Sequence, residues 1–190
     1  KGRSIYELLG VERNGRDDVV VCGDIDQVIT EKCCDVCILA TDSFTVKAYD
    51  KIVYLLRKKI NVISTAEEMS YPKANNPQLA ESMDKIAKEN GVTVLGTGIN
   101  PGLIMDLLVV CLTGCMTDVT HITAKRVNSL SPFGPAVMEE QGVGLSVKDF
   151  EEGVRSKKLA GHVGFRESVN MIGDAIGWKI DGFEQQMAAI

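Results

Sequence analysis

The sequence predicts an α/β fold: a Rossmann-like parallel sheet whose N-terminal part is missing, followed by a second, smaller α+β unit. Three observations predict it. Short β-rich runs alternate with helical stretches over the first hundred residues, as βαβ units do. Each apolar run ends in small polar residues, where a parallel sheet places its ligands. Near residue 117 the pattern changes to one longer alternating run, a Gly/Pro/Ser-rich stretch and two helices. We therefore divide the chain into 1–116, a partial dinucleotide-binding domain, and 117–190, a partial substrate-binding and dimerisation domain.

The elements follow in order. Val19–Cys22 is expected as a strand and Ile25–Glu31 as a short helix. Val36–Thr41 is a second apolar strand. Val46–Lys59 is helical, with Val46, Tyr49, Val53 and Leu56 on one side and Arg57, Lys58 and Lys59 at its C-terminal end, where cations suit the helix dipole. Asn61–Ser64 is a third strand. Gln78–Asn90 is a polar-faced helix closed by Gly91. Val92–Leu95 is a fourth strand. Pro101–Cys111, apolar almost all round, is expected as a helix buried between layers. Val119–Val127 alternates as a strand does. Ser129–Gly144 is expected as a loop, Val147–Leu159 and Phe165–Ile176 as helices, and Trp178–Phe183 as a last strand.

The 190 residues carry a net charge of −5, with 45% hydrophobic and 25% charged residues. That is ordinary for a globular protein and supports a packed core. The charge and the lack of a Lys/Arg block argue against a nucleic-acid surface. No apolar run approaches the ~20 residues of a membrane span, and no signal peptide opens the chain, so a cytoplasmic protein is expected. The six cysteines include Cys34 and Cys37 in a C-x-x-C, but no second such pair or nearby His. We expect buried or ordinary reduced thiols and no metal site.

Three strand ends are legible: Ala40-Thr41-Asp42-Ser43-Phe44, Ser64-Thr65-Ala66-Glu67-Glu68, and Gly96-Thr97-Gly98-Ile99-Asn100-Pro101-Gly102. Each alone could simply cap the next helix. Together they mark a site. Ala40, Thr41, Asp42, Ser43, Ser64, Glu67, Gly96, Thr97, Gly98 and Asn100 are the candidates for holding a dinucleotide cofactor. No G-x-G-x-x-G occurs, although a Rossmann domain should open with one.

Gly96–Gly102 with Leu103-Ile104-Met105-Asp106, then Arg126-Val127-Asn128, Ser131-Pro132-Phe133-Gly134 and Gly161-His162-Val163-Gly164-Phe165-Arg166-Glu167-Ser168, carry a resemblance over nearly the whole chain. They are similar to the 2,4-diaminopentanoate dehydrogenase family, NAD(P)-dependent amino-acid dehydrogenases related to dihydrodipicolinate reductase. The resemblance implies NAD or NADP as cofactor and oxidation of a diamino acid at its C4 amine, releasing ammonia, in ornithine degradation. It also implies a homodimer. The paired histidines of dihydrodipicolinate reductases are absent, so their mechanism does not transfer.

The residues suit such a substrate. Asp106 is the lone acid early in an apolar segment; it either binds a substrate ammonium or makes a structural hydrogen bond to the neighbouring domain. His162, between Gly161 and Gly164, is either a proton acceptor or a structural loop residue. Arg126 and Arg166 are candidates for the substrate carboxylate, and Asn100 is a further substrate-binding candidate. Lys125 should face away from Arg126 if their strand is regular. His121, the other histidine, is expected to be structural. Glu139 and Glu140 lie in a glycine-flanked loop that either closes over the substrate or is solvated. The alternatives are another dihydrodipicolinate- or homoserine-type reductase, or a nucleotide-sensing module without turnover.

Overall fold

The computed structural model describes residues 1–159 and 161–189. A short helix, α1 (Ile5–Leu9), opens the chain, with the Ser4 hydroxyl accepting from Tyr6 N–H as its cap. The expected strand Val19–Cys22 does not join the sheet. It folds back on residues 2–5 through an antiparallel bridge, Ser4 to Val20, leaving Val19 and Val20 exposed. The helix expected over Ile25–Glu31 shortens to a 3₁₀ turn, Ile25–Gln27, capped by Asp24.

The sheet has three parallel strands in the order β1 (Val36–Leu39), β2 (Asn61–Ser64), β3 (Val94–Gly96). Helix α2 (Thr45–Arg57) connects the first pair and α3 (Pro77–Asn90) the second. β-branched and apolar residues build the strands, and the register sets Leu39, Ser64 and Gly96 side by side at the carboxyl edge. Helix α2 buries Thr45, Ala48, Ile52, Val53, Leu55 and Leu56. Those positions recur at helical spacing and face the sheet. Val46, expected on this side, is 64% exposed instead. Helix α3 starts on Pro77, ends on Gly91 at φ +66°, and buries Met83 and Ala87. These side chains, with Ile60, Val62, Ala66 and Met69, form the core. Each large one contributes roughly 1.5–3 kcal/mol by leaving water.

The opposite face of the sheet is open. Ile38, Ile63 and Leu95 stand in one cross-strand row, with Ile38 68% and Leu95 51% exposed.

After β3 the structure departs further from expectation. Residues 101–106 form turns, and the helix there is only α4 (Leu107–Thr113). Asp106 is its N-cap, so the acid starts the helix rather than sitting inside it. Leu103, Ile104, Leu107 and Leu108 are partly exposed rather than sandwiched between layers; α4 packs on one described helix, α7 (Phe165–Ile176). Val119–Val127 and Trp178–Phe183 are not strands, and no strand occurs after residue 117 among the described residues. An alternating pattern needs a neighbour to pair its backbone groups, and none pairs with these segments among the described residues. The Ser129–Gly144 loop contains a short helix, α5 (Pro135–Glu140), started by Pro135. Helix α6 (Val147–Arg155) is capped by Ser146. Helix α7 has the expected bounds and packs back against the 3₁₀ turns Glu67–Ser70 and Pro72–Ala74 that follow β2. No described helix is long and apolar enough to cross a membrane.

Leu56→Ala should lower unfolding stability by roughly 2–5 kcal/mol, whereas Val46→Ala on the same helix should stay within about 0.5 kcal/mol. Urea unfolding of both variants followed by circular dichroism tests this assignment of the buried face.

Candidate active site

The three strand ends are knitted edge to edge. Thr65 N–H donates to the Leu39 carbonyl at 3.1 Å, and Thr97 N–H to the Ser64 carbonyl at 3.0 Å. Thr41, Thr65 and Thr97 consequently stand exposed along the carboxyl edge, with Ala40, Gly96 and Gly98 between them. Ser64 is fully buried, and its hydroxyl accepts from Ala66 N–H within the turn. The Asp42 carboxylate receives the Lys51 ammonium at 2.5 Å and the Thr41 hydroxyl at 2.9 Å; these two hydrogen bonds hold it below the usual carboxylate range.

Glu68 was missed as a structural residue. Helix α2 begins at Phe44, which has no side chain able to cap it. The Glu68 carboxylate does so from 23 residues away, accepting from Thr45 N–H at 2.8 Å and from Asn76 Nδ2 at 3.3 Å. Glu68 N–H in turn donates to the Ser43 carbonyl. A polar segment without an adequate N-cap was the available signal. With Glu68 occupied, its neighbour Glu67 is the half-buried carboxylate at the end of β2.

The turn after β3 is packed backbone to backbone. A Cβ on Gly98 would lie 2.6 Å from the Pro101 carbonyl oxygen, and one on Gly102, at φ +121°, 2.5 Å from Gly98 N. The Asn100–Pro101 peptide is cis. Gly164, at φ +105° before α7, sits directly on the Pro101 ring, where a Cβ has no room. Asp106 fastens this arrangement. It is fully buried, and its oxygens accept from Gly102 N–H at 2.7 Å, Leu107 N–H at 2.6 Å and the Ser168 hydroxyl at 2.9 Å. The last bond comes from α7, 62 residues away. The structural alternative for Asp106 is thus the one with visible partners.

His162 lies on the segment entering α7. Its ring packs on Phe165 with centroids 4.2 Å apart. Gln185 donates to its backbone carbonyl at 3.1 Å, and Gln141 to that of Gly161 at 2.6 Å. His162 Nε2 and Asn100 Oδ1 are both buried without a hydrogen-bond partner among the described residues. Burial pushes the imidazole below the ordinary histidine range; the positive field of Arg126 adds to this, and Glu67 opposes it. Gly164 brings Asn100-Pro101 to the same loop.

Other candidates lie elsewhere. The Arg166 guanidinium is stacked over the Phe183 ring at 4.7 Å. Lys125 and Arg126 sit on irregular chain, so the opposite-face argument does not apply. Glu139 and Glu140 line a separate cleft of about 1010 Å³ between α5 and α6, which neither His162 nor Asn100 lines. His121 is exposed and bonded to Thr123 at 2.9 Å. The cysteines are free, and all but Cys37 are exposed rather than buried.

Asp106→Ala should cost about 3 kcal/mol of unfolding stability, because a buried turn and a hydroxyl lose their shared acceptor. Chemical denaturation of the variant checks this; a change within about 0.5 kcal/mol would remove Asp106 from this structural role.

Residues 103–190 match the family model of the 2,4-diaminopentanoate dehydrogenase C-terminal domain. The chain is 62% identical over 179 residues to the curated 2,4-diaminopentanoate dehydrogenase of Acetoanaerobium sticklandii, covering 94% of this chain and 50% of that protein. Among solved structures, an amine dehydrogenase from Mycobacterium smegmatis superposes with a TM-score of 0.69 at 25% identity, over 95% of this chain and 52% of that one. The chain spans about half the length of these relatives. Within that span, it belongs to the 2,4-diaminopentanoate dehydrogenase family.

Proposed function

We propose that the protein containing this chain oxidatively deaminates 2,4-diaminopentanoate at C4. Water and NAD(P)⁺ are consumed, and 2-amino-4-oxopentanoate, ammonia and NAD(P)H are released. The 62% identity to a curated enzyme of that name supports the reaction. The observation that carries the site is that two of the three buried side-chain polar atoms without a partner among the described residues, Asn100 Oδ1 and His162 Nε2 (the third is Thr45 Oγ1), lie on the turn after β3 and on the loop packed against that turn. Buried polar groups in folded proteins are hydrogen-bonded, and a ligand that offers a donor would satisfy either atom.

A substrate ammonium fits both. The Asn100 carbonyl oxygen can only accept, and burial keeps the His162 imidazole neutral, able to take a proton at Nε2. Neutralising the C4 ammonium in this way frees its lone pair for hydride loss. Arg126, which makes no ion pair among the described residues, suits the substrate carboxylate. Glu67 suits the second ammonium. Asp106 and Ser168 hold the walls of this site rather than the substrate.

The chemistry a nicotinamide ring supplies is acceptance of the hydride from C4. The exposed Thr41, Thr65 and Thr97 hydroxyls, with Ala40, Gly96 and Gly98 leaving room between them, fit the sugar side of a dinucleotide. In this reading residues 1–116 belong to a Rossmann-like cofactor domain and 117–190 to the substrate domain. We extend the reading to a cytoplasmic homodimer on the family resemblance alone.

The test is reduced-nicotinamide formation by the full-length protein offered 2,4-diaminopentanoate with NAD and with NADP. Diamine-dependent turnover is expected, and its absence from folded enzyme with both cofactors would overturn the reading. His162→Gln should lower kcat/KM by roughly 10²–10⁴. Because burial favours the neutral ring, the wild-type acid limb should fall below the ordinary histidine value of about 6.5: activity persists as pH drops past that value and is lost only as the ring finally takes up a proton.

A further inference from the structure

We infer that Glu167 is a positioning residue that fixes the first turn of α7, and with it His162, by gripping Asn75. The inference rests on His162 being the proton acceptor, and it begins from how that ring is held. His162 is oriented by its contact with Phe165, the first residue of α7. Its placement is therefore inherited from the first turn of that helix.

Two buried side chains anchor that turn on neighbouring elements. Ser168 reaches Asp106 on the β3 side. Glu167 reaches the β2 side, where its carboxylate accepts from Asn75 Nδ2 at 2.6 Å. Asn75 directly follows the 3₁₀ turn Pro72–Ala74, and Asn76 beside it donates to Glu68, the acid that caps α2. Glu67 is the next residue along. One chain of hydrogen-bonded neighbours thus connects the His162 loop, through Glu167, Asn75-Asn76 and Glu68, to the segment that carries Glu67. The other α7 contacts to this region, Tyr71 and Lys73 with Asp174, are exposed and contribute little rigidity.

Glu167 is an expensive residue for a merely space-filling role. It is 1% exposed and has no ion pair among the described residues. Burial pushes its carboxyl above the usual carboxylate range, and nearby Glu68 pushes the same way. Its own backbone N–H, Asn75 and Arg166 act against them. An apolar side chain of this size would avoid that desolvation. What it could not do is accept from Asn75 and fix the spacing between the two elements.

The experiment uses the full-length protein with saturating cofactor and measures kcat, the KM for diamine and for cofactor, and the His162 titration by NMR of labelled histidine. The charged groups facing that ring are Arg126 and Glu67, and neither is altered. Glu167→Ala should lower kcat at least tenfold with cofactor KM within twofold, and should move the His162 midpoint up toward its ordinary value as the ring loosens. Glu167→Gln, whose amide oxygen still accepts from Asn75, should restore both. Asn75→Ala should reproduce Glu167→Ala, and the double variant should be no worse than either single one. If Glu167→Ala does not fold, Asn75→Ala carries the test alone. A folded variant with wild-type kcat and an unmoved His162 titration would overturn the inference. Should the wild-type protein lack diamine turnover, the proposed function fails, while the His162 midpoint still decides the role of Glu167.

Discussion

The arrangement depends most on one buried carboxylate. Asp106 is sealed from water, and a buried polar group demands hydrogen-bond partners. It finds them in the turn after β3, at the first residue of α4 and on α7. Satisfying that one group sets the path of residues 100–107 and draws in a helix from the far end of the sequence. The contact of Gly164 with Pro101 follows from the same approach. So does the approach of the loop that carries His162 to the turn that carries Asn100.

Much of the sheet half was legible because its signals are local. β2 and α7 have the bounds the pattern gave, and α3 ends on the glycine that marked its end. Two of the failures share a cause. Val119–Val127 and Trp178–Phe183 alternate convincingly, yet strand formation is a property of pairs, and among the described residues neither has a partner. The Pro101–Cys111 helix failed for a different reason. Its apolar periodicity was real, but a side chain able to accept from two backbone N–H groups favours a cap over a helix interior, and Asp106 did that here.

The site divides along the same line. Glycines flanking Asn100 and His162 advertise close backbone approach within a few residues of sequence, and the structure uses them so. Glu68 and Glu167 were not singled out, because their partners lie 23 and 92 residues away. A long-range hydrogen bond leaves no period and no motif. Its trace is a deficiency elsewhere, such as a helix that begins on Phe44 with nothing to cap it.

The tuning of His162 shows how those distant contacts enter the chemistry. Arg126 and Glu67 pull the imidazole in opposite directions, and burial is the largest influence on the ring. Burial is a matter of packing: Phe165 on one side and the approach of the Gly161–Gly164 loop to Pro101 on the other. Both are set by where α7 begins. A change that shifts the helix by a fraction of an ångström would admit water to the ring and raise its proton affinity, without touching any residue that meets substrate. If His162 is the proposed proton acceptor, its basicity is a consequence of tertiary packing, and the side chains that moor α7 to the sheet bear on it as much as the imidazole does.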